Sequence, residues 1–598
     1  MDLPVPKRKA PRLKDDRVIL HFDLDCFYAQ CVENRQPSLK TLPLGIKQKG
    51  ILATCNYVAR RYGVKKLMPI ADAKKLCPDL VIADGEDLSP FRDVSKRLYS
   101  LLRSYSWNAK IERLGLDEMF LDVTDIVSYN LELLNKNSLH QSYFCLSRSD
   151  PEAGFGFDAT YFPGCIHGKD EGQSDDNVLR MRLLLASHLA RHLRLKIEEQ
   201  GYTTACGIST SKLLAKLVGD KNKPQNQTTL LALTQEATLS FMDGHKLRKI
   251  PGIGSKITRV LEGVVLGKEP DPDIYSMECS ATVGQVRLHP SISPPTLEKL
   301  FSGPGWERGL GNKVWALLHG VDDSEVKPAR DVPTQISIED SYKGLNEPYE
   351  IHRALLAVTA SLLRRMHIDL LADDDSPGEA TATTDPPPTG KKWRAYPKTL
   401  RLSTRPYTSP ADNKPYDWAR ASRSCPLPGF VFHNSNSSPG LSSSSSIDRT
   451  AERLVTGTLL PLFYKLNPDK RGWNIGLINV CVANMTGTDG GVASGRDIAT
   501  MFRRQEDVLR EFRVYDGNPS PRAKGQGMGG PEEGNPEVLV LDGPSDEGGE
   551  EEDHGSDTWD YDTRGQDRDM ERCLLCDHLI PRFAVLAHER YHKMGGSP

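Results

Sequence analysis

The amino-acid sequence predicts a multidomain protein of the α+β class. Its 598 residues are too many for one hydrophobic core, and roughly four folded units are usual at this length. Apolar stretches of strand length occur beside stretches of helical periodicity, and polar segments rich in Gly, Pro, Ser or acidic residues separate them into groups. Several mixed units joined by irregular segments account best for this pattern.

The first group of elements, from residue 17 to about 233, is predicted to form an α/β unit. Val18 to Phe22 is an apolar strand with acidic residues at its end, and Lys96–Tyr105 and Leu179–Glu199 have helical spacing. Residues 134–178 are rich in Ser, Asp and Gly and show little periodicity. We therefore expect this last stretch to be a surface insertion.

Two further groups follow the first. The group from about 234 to 328 contains a Pro-Gly-Ile-Gly turn. The group from about 329 to 515 mixes strands and helices, predicted at Lys398–Leu402, Trp473–Val482, Ile351–Met366 and Asp448–Leu466. Polar segments within and after this group are predicted to be disordered, at residues 372–390, 434–446 and 516–570.

Charge is distributed unevenly along the chain. The sequence has 77 basic and 80 acidic residues in total, and the stretch from Asp516 to the end holds 8 and 19 of them. The preceding part therefore keeps 69 basic and 61 acidic residues, an excess of positive charge that suits contact with a polyanion. Solvated charge on an ordinary globular protein would give the same balance.

Targeting features indicate a soluble protein of the nucleus. The sequence shows no secretory signal and no apolar run near 18 residues. Ten of the twelve cysteines are isolated in the sequence, as reduced thiols usually are. The basic stretch at residues 6–12 is typical of a nuclear import signal, although disordered termini also carry such clusters. We expect a monomer that does not associate with membranes.

Acidic residues at strand ends form the sharpest local pattern. Asp23 and Asp25 close the first strand and would share one of its faces, because side chains alternate with period two. Asp117 and Glu118 lie between two apolar stretches, as they would near the turn of a hairpin. Burying these acids unpaired would be costly, whereas single acids exposed at strand ends are common and need no function.

A divalent cation would remove that cost. Magnesium prefers a few carboxylate oxygens, with water and substrate phosphate completing its octahedron. If the hairpin packs beside the first strand, Asp23 and Asp117 can bridge two metal ions about 4 Å apart. Glu118 would then hold the ion that activates a hydroxyl nucleophile, and the carbonyl of Leu24 would help to bind the second ion. That arrangement suits in-line phosphoryl transfer.

Collinear motifs give these acids their context. The chain resembles the Y-family translesion DNA polymerases in segments that keep the family's order: His21 to Tyr28, Lys47 to Lys49, Ala53 to Arg60, Gly63 to Met68, Gly85 to Leu88, Glu112 to Val123, Lys212 to Leu217 and Asn222 to Pro224. The resemblance covers about 17–515. It implies a low-fidelity, template-directed polymerase that adds a dNTP to a primer 3′-hydroxyl at damaged sites in primer–template DNA, with two Mg²⁺ ions or Mn²⁺.

The resemblance also implies a domain order, that of a right hand. The ranges are a basic disordered N-terminus at 1–16, a palm at 17–26 and 88–233, small fingers at 27–87, a thumb at 234–328, a little finger at 329–515 and an acidic disordered linker at 516–570. In the thumb, Gly252 and Gly254 belong to a helix-hairpin-helix turn whose amides could contact DNA phosphates. Most turns of this kind are, however, ordinary loops.

Site residues follow from the same resemblance. Asp23, Asp117 and Glu118 match the catalytic, metal-binding acids, and Tyr28 beside Phe27 matches an aromatic gate that excludes a 2′-hydroxyl. The triphosphate contacts match residues suited to phosphate oxygens: Thr54, Tyr57, Arg60, Lys66 and Lys223. Asp25 also matches a family acid, and its role stays open.

The same resemblance implies that four side chains of the fingers face the templating base. They are Gln48, Lys49, Ile51 and Ala53. In one branch of the family, larger side chains press on this base and favour Hoogsteen pairing of template purines. Ala53 is smaller than the aliphatic residue of that branch, so Hoogsteen and Watson–Crick pairing both stay open.

A C-x2-C-x11-H-x3-H pattern near the end of the chain has the spacing of a zinc site. Two sulfur and two nitrogen ligands would make a closed tetrahedral Zn²⁺ site: Cys573, Cys576, His588 and His592. This segment, 571–594, resembles ubiquitin-binding zinc fingers and implies recruitment through ubiquitin or a ubiquitinated sliding clamp. Arg590 lies where those fingers usually have an acid. A DNA-reading finger is the second interpretation, although a lone finger reads only about three base pairs.

Some features leave further alternatives. The apolar stretch Val538 to Leu541 could add as an edge strand to a partner such as SUMO, although such stretches are common in disordered tails. A nucleotidyl cyclase can share the carboxylate geometry but needs no thumb turn or little finger. A non-catalytic adaptor would be expected to lack Asp23 or Asp117, and both are present.

Overall fold

The structure is a computed structural model that describes most of the chain. The described residues are 11–12, 15–168, 177–267, 281–371, 393–408, 420–432, 443–468 and 472–487, with the backbone of 570–572 and 579–581. They fall into two compact units, residues 1–297 with 311–495 and residues 298–310 with 496–598. The predicted disorder at 372–390, most of the predicted linker and the four zinc ligands lie outside the described residues.

Residues 15–233 form a mixed group of strands and helices. The strands are β1 Ile19–Leu24, β2 Leu44–Gln48, β3 Ile51–Cys55, β4 Val81–Asp84, β5 Ile111–Leu114, β6 Glu118–Asp122, β7 Ser142–Cys145, β8 Gly154–Phe157, β9 Cys165–His167, β10 Thr204–Ser209 and β11 Gln227–Leu230. The helices are α1 Phe27–Arg35, α2 Tyr57–Arg61, α3 Ile70–Leu76, α4 Ser89–Arg103, α5 Thr124–Leu133, α6 Val178–Glu199 and α7 Lys212–Gly219. The first predicted strand and both predicted helices are present, with shifted ends.

Strand β1 lies near the middle of a six-stranded sheet. The strand order is β5–β6–β1–β10–β11–β9, and β1 is antiparallel to both of its neighbours. Leu20 and Phe22 face a large core that includes residues of α6. Ile19 faces the other side and packs with Phe120 of β6 and Ala215 of α7. Because β1 is covered on both faces, its apolar run is continuous rather than alternating.

The expectation of a surface insertion at 134–178 is wrong for much of that stretch. Strands β7 and β8 pair with each other, and Phe144 of β7 is fully buried in the large core. Strand β9 completes the edge of the six-stranded sheet, with Cys165 beside Thr228 of β11. Strands of three or four residues separated by Gly, Ser and Asp are too short to show periodicity, so the pattern concealed them.

A smaller three-stranded sheet occupies part of the predicted fingers. Its order is β3–β2–β4, with β2 antiparallel to β3 and parallel to β4. Leu52, Ala59 and Ala73 form its own core with α2 and α3. One face of the sheet therefore has a core of its own, while Leu44 and Ile46 of β2 pack against Ala29 of α1.

Residues 234–328 are helical where they are described. The helices are α8 Gln235–Asp243, α9 Ser255–Leu266, α10 Val283–Leu288, α11 Pro294–Leu300 and α12 Leu310–Leu318. The predicted turn precedes α9, and Leu247–Lys249 before it form a single 3₁₀ turn rather than an α-helix. Gly252 has φ of 88°, which favours glycine, whereas Gly254 caps α9 with φ of −77°. Only the first glycine is required by backbone conformation.

Residues 329–487 form an antiparallel sheet with helices. The elements are β12 Gln335–Leu345, α13 Pro348–Leu370, β13 Ala395–Pro406, β14 Ala421–Pro426, α14 Ser443–Leu454, a π-helical turn Val455–Leu459, α15 Leu460–Leu466 and β15 Ile475–Gly487, with strand order β12–β15–β13–β14. All four predicted elements are present, but β12 and β14 were not predicted. The predicted disorder at 434–446 is wrong from Ser443, where α14 begins.

The second unit contributes two described strands near the end of the chain. They are β16 Met570–Arg572 and β17 Leu579–Pro581, and they pair antiparallel. The segment with Cys573 and Cys576 joins them but lies outside the described residues. Among the helices that the structure describes, none is long and apolar enough to cross a bilayer. The mixed α/β, multidomain character of the prediction is confirmed, and its zinc finger stays a prediction.

Candidate active site

Three predicted acids meet in the six-stranded sheet where β1 ends and β6 begins. Strands β5 and β6 form the predicted hairpin, with Gly115 at φ of 76° in its turn. Asp117 closes this turn and Glu118 begins β6, where it is the register partner of Asp23. The amide of Leu24 donates a hydrogen bond to the carbonyl of Asp117 over 2.8 Å. Backbone pairing therefore brings the two distant segments together.

Glu118 lies on the side of the sheet that α7 covers. The Lys216 ammonium donates a hydrogen bond to Glu118 Oε2, and His21 Nε2 lies 3.6 Å from the same oxygen. Although burial opposes ionisation of Glu118, these two neighbours outweigh it and lower the pKa of the carboxyl to about 2. His21 is itself buried, which lowers its pKa, so the imidazole is neutral at neutral pH.

The approach of α7 to the sheet depends on glycine. A Cβ on Gly207 of β10 would lie 1.9 Å from the carbonyl oxygen of Ala215 and 2.6 Å from the amide nitrogen of Gly219. No side chain fits in that space, so β10 and α7 can approach only because residue 207 is glycine. This approach brings Lys216, one residue after Ala215, to Glu118.

A second lysine engages Asp23. Lys223 Nζ lies 2.6 Å from Asp23 Oδ2 and 2.7 Å from Asp220 Oδ1. Burial alone would lower the pKa of Lys223, but the two carboxylates outweigh it and raise the pKa above its usual range. The ammonium is therefore held charged between two acids near the end of β1.

At Asp117, burial and the nearest charges both raise the pKa of the carboxyl. Burial is the larger cause, and the charges are those of Asp23 and Glu118. Among the described residues, no ready group of three His, Cys, Asp or Glu side chains could hold a metal ion, and Asp23 and Glu118 are instead engaged by lysines. Burial and two neighbouring carboxylates nevertheless oppose ionisation of Asp117, a cost that a nearby cation would reduce, and carboxylate oxygens are the donors that Mg²⁺ prefers. The residues fit a hard divalent cation.

Asp25, whose role was open, supports the structure around the site. Strand β1 ends at Leu24, so Asp25 does not share the strand face of Asp23 as expected. Its Oδ2 accepts hydrogen bonds from the Thr203 hydroxyl and the Gln225 amide, each over 2.9 Å. The carboxylate is 3 % exposed, and burial raises its pKa. It connects the end of β1 to the segments before β10 and after Lys223.

The predicted gate and sugar-side residues lie at the start of α1. Phe27 is buried, and the Tyr28 ring stacks on Phe91 of α4 with centroids 4.3 Å apart. Burial raises the pKa of Tyr28, and the Asp117 charge adds to the effect. The phenol is therefore near Asp117, and its ring is held by a second aromatic side chain.

The predicted phosphate contacts are only partly brought together. Arg60 Cζ lies 4.5 Å from the centre of the Tyr57 ring on α2. Burial raises the pKa of Tyr57 to about 12, with Asp25 adding to the shift and Lys223 opposing it, so these groups are neighbours. Thr54 is half-buried on β3, whereas Lys66 is exposed between α2 and α3, where no described contact joins it to the others.

Comparison with known proteins identifies the part of the chain that carries this site. Residues 22–220 match the model of the impB/mucB/samB family. These residues form an impB/mucB/samB domain. The domain contains the three acids, the predicted gate residue Tyr28 and Lys216 of α7. The resemblance to Y-family polymerases that the motifs indicated is confirmed.

Relatives extend the similarity beyond the impB/mucB/samB domain. The chain is 32% identical to DNA polymerase iota of Homo sapiens over 486 residues, which is 81% of this chain and 53% of that protein. It is 39% identical to DNA polymerase iota of Drosophila melanogaster over 361 residues, 60% of this chain and 42% of that protein. DNA polymerase IV of Francisella tularensis subsp. novicida (strain U112) is 28% identical over 331 residues, 54% of this chain and 71% of that protein. The chain thus spans about half the length of the first of these relatives.

The predicted template contacts lie on the β2–β3 hairpin of the domain. Gln48 and Ile51 are cross-strand partners, and Ala53 lies two residues further along β3. Gln48 Nε2 donates to the carbonyl of Gly85 over 2.9 Å. Lys49 occupies the turn with φ of 54°, and its ammonium contacts β12 rather than being free. The hairpin brings all four residues close to one another.

Two neighbours of the acids were not singled out from the sequence. His21 could have been found from strand periodicity, because it precedes Asp23 by two residues and shares its face of β1. Lys216 lies within a motif that the resemblance already used, but no sequence signal gave it a partner. The pairing depends on the close approach of α7 to β10, a tertiary feature that spacing along the chain does not encode.

Proposed function

We propose that the chain is a template-directed DNA polymerase for translesion synthesis. The observation that carries the proposal is the meeting of Asp23, Asp117 and Glu118 where β1 ends and β6 begins. Lys223 contacts Asp23, and Tyr28 lies near Asp117. The similarity to proteins named DNA polymerase iota and DNA polymerase IV supports the same activity. The substrates would be primer–template DNA and a dNTP.

Each residue has a chemical task in this proposal. Two divalent ions, when bound, supply positive charge to the attacking and leaving oxygens. Asp23, Asp117 and Glu118 would hold them with the carbonyl of Leu24, and Lys216 and Lys223 would release their carboxylates. Lys223 is then available to bind phosphate oxygens as a point charge.

Selection of the sugar and of the phosphates uses the residues around the acids. The Tyr28 ring, held against Phe91, would close the space beneath the sugar and exclude a 2′-hydroxyl. Arg60 offers a planar fork of donors for the triphosphate, with its guanidinium stacked on Tyr57.

The proposed domains follow the right-hand order. The six-stranded sheet with its helices is the palm, the three-stranded sheet is the fingers, the helices of 234–328 are the thumb and the sheet of 329–487 is the little finger. Contacts to the DNA backbone through the turn at Gly252 would position the duplex without reading its sequence. We also propose that nucleotide insertion has low fidelity. Ala53 is a small side chain, so Hoogsteen and Watson–Crick pairing of the templating base both stay open.

The tail is proposed to recruit the enzyme. Zinc at Cys573, Cys576, His588 and His592 would form a finger that binds ubiquitin. The full chain should then contain one zinc per molecule and bind ubiquitin, and Cys573→Ser–Cys576→Ser should lose both. Unchanged ubiquitin affinity in that variant would contradict the assignment.

A second tail partner and the cellular location are further proposals. A SUMO contact at Val538 to Leu541 would be lost in Val540→Asp but not in Ser545→Asp. Nuclear import through residues 6–12 is tested by comparing the cellular distribution of the full chain with that of Lys7→Ala–Arg8→Ala–Lys9→Ala. Equal distribution would contradict the import signal.

Primer extension separates this proposal from its rivals. Wild type should extend a primer with dNTPs and Mg²⁺, and Asp117→Ala–Glu118→Ala should not, whereas Asp72→Asn, an exposed carboxylate paired with Lys75, should act as wild type. Conversion of a free nucleoside triphosphate to a cyclic nucleotide would favour the cyclase. Extension by neither protein would favour the adaptor and reject the proposal.

A further inference from the structure

Lys49 is held from a distant part of the chain. Its ammonium lies 2.6 Å from Asp340 Oδ1 on β12 and donates a hydrogen bond to the carbonyl of Ser341. The same ammonium lies 5.6 Å from the centre of the Tyr342 ring. Three consecutive residues of one strand therefore supply a carboxylate, a carbonyl and an aromatic face to a single lysine, a combination that suits an ammonium group.

The backbone of Lys49 is fixed independently. Its amide donates to Glu86 Oε1 over 3.1 Å, and its φ of 54° sets the turn of the β2–β3 hairpin. A lysine in a surface turn ordinarily samples many rotamers and loses that freedom only where its head is bound. Here both the backbone and the ammonium are held, so the side chain has one direction.

Neighbouring acids of β12 have different partners. Glu339 binds Arg420, the residue before β14, over 2.7 Å and accepts from Asn479 of β15 over 3.2 Å. Asp340, on the opposite face of the strand, contacts the β2–β3 hairpin instead. The contrast separates an acid that stabilises the sheet of 329–487 from one that acts on another part of the molecule, and it provides a matched control.

We propose that Asp340 is a positioning residue for the templating base. With the Ser341 carbonyl and the Tyr342 ring, it fixes the Lys49 ammonium beside the base, so the 329–487 sheet takes part in nucleotide selection as well as in gripping the duplex. The inference rests on the proposed polymerase function and on the predicted place of Lys49 at the base. Because the pair is half-exposed, its removal changes selection by about fivefold at most.

Cross-linking tests whether the contact persists when DNA is bound. A zero-length carbodiimide reagent joins an amine and a carboxylate that touch, and peptide mass spectrometry of the full chain should find the bond between Lys49 and Asp340. The bond should form equally with and without a primer–template, and Glu339→Gln should not reduce it. A bond that forms only without DNA, or does not form at all, would overturn the positioning role.

A double-mutant cycle tests the consequence for selection. The ratio of kcat/KM for the complementary and a mismatched dNTP should change by about two- to fivefold in Asp340→Asn and remain unchanged in Glu339→Gln. The effect of Asp340→Asn should vanish in a Lys49→Ala background.

The outcomes distinguish this inference from a structural role and from failure of the proposed function. A structural role would lower activity equally for all templates and would persist in the Lys49→Ala background, and either result rejects the positioning role. If wild type extends no primer, the proposed function fails and the positioning role fails with it, while the cross-link still reports whether the contact exists.

Discussion

Lys223 Nζ lies 2.6 Å from Asp23 Oδ2 and shares its charge with Asp220. The pairing joins a residue of β1 to the segment after α7, 200 positions later in the chain. It places a proposed phosphate-binding cation against a proposed metal-binding acid, so the two groups would exchange partners if a metal and a nucleotide entered.

Replacing Lys223 should weaken nucleotide binding. In Lys223→Ala, we expect the KM for dNTP to rise by at least about tenfold, because a charge-assisted contact to phosphate is lost. Steady-state insertion kinetics measure this. Lys249→Ala is the control, since Lys249 also approaches Asp220, at 3.9 Å, but is exposed and does not reach Asp23. An equal rise in KM in both variants would contradict the assignment.

Replacing Asp117 should stabilise the metal-free protein while abolishing activity. The pKa of Asp117 is raised by burial and by the charges of Asp23 and Glu118, so folding makes the ionisation of this carboxyl less favourable than it is in the unfolded chain. Asp117→Asn removes that repulsion and should raise the free energy of unfolding by about 1 kcal/mol. Thermal unfolding in a chelator measures it. Asp79→Asn, at an exposed position between α3 and β4, should leave the unfolding midpoint unchanged, and a destabilised Asp117→Asn would contradict the prediction.

The stability that Glu118 contributes should depend on pH. Its folded pKa of about 2 lies below the ordinary value of 4.5, so its contribution is present above about pH 4.5 and is lost as pH falls towards 2. We expect the free energy of unfolding of wild type to exceed that of Glu118→Gln by about 1–3 kcal/mol between pH 5 and 7. This difference should shrink below pH 4.5. Denaturant unfolding of metal-free protein across this range measures it. A difference that stays constant down to pH 3 would count against the ion pair with Lys216.

Widening the gap between α7 and β10 should disturb the acids. Gly207→Ala would place a Cβ against the Ala215 carbonyl, so α7 must shift and withdraw Lys216 from Glu118. We expect a loss of about 1–3 kcal/mol in the free energy of unfolding and a reduced kcat. Gly244→Ala, where a Cβ meets nothing within 4 Å, is the control. Unfolding and insertion assays on both variants decide it, and equal behaviour would contradict the close-packing argument.

Removing the aromatic gate should relax sugar selection. In Tyr28→Ala, we expect the preference for dNTP over rNTP in kcat/KM to fall by at least about tenfold, because the clash with a 2′-hydroxyl is lost. Tyr62→Ala, an exposed tyrosine, should keep the preference. Competition between the two substrates in single-nucleotide insertion measures the ratio, and an unchanged ratio in Tyr28→Ala would reject the gate.

The sequence predicts the hairpin and the strand that bring the acids together, since β1 and β6 are apolar runs that end or begin with acidic residues. The motif resemblance predicts which acids matter. Short strands such as β9 cannot be predicted from the sequence, because three residues carry no periodicity and their place is set by pairing with β11. The contact between Lys216 and Glu118 cannot be predicted either, because it depends on a glycine 9 positions before Lys216 that permits close packing.

Template-dependent insertion tests the central claim most directly. A primer is annealed to four templates that differ only in the templating base, and the wild-type chain and Asp117→Asn–Glu118→Gln are given each dNTP with Mg²⁺. We predict that the preferred nucleotide changes with the template base for wild type and that the double variant is slower by more than about a hundredfold. Insertion that ignores the template, or equal rates for the two proteins, would contradict the claim.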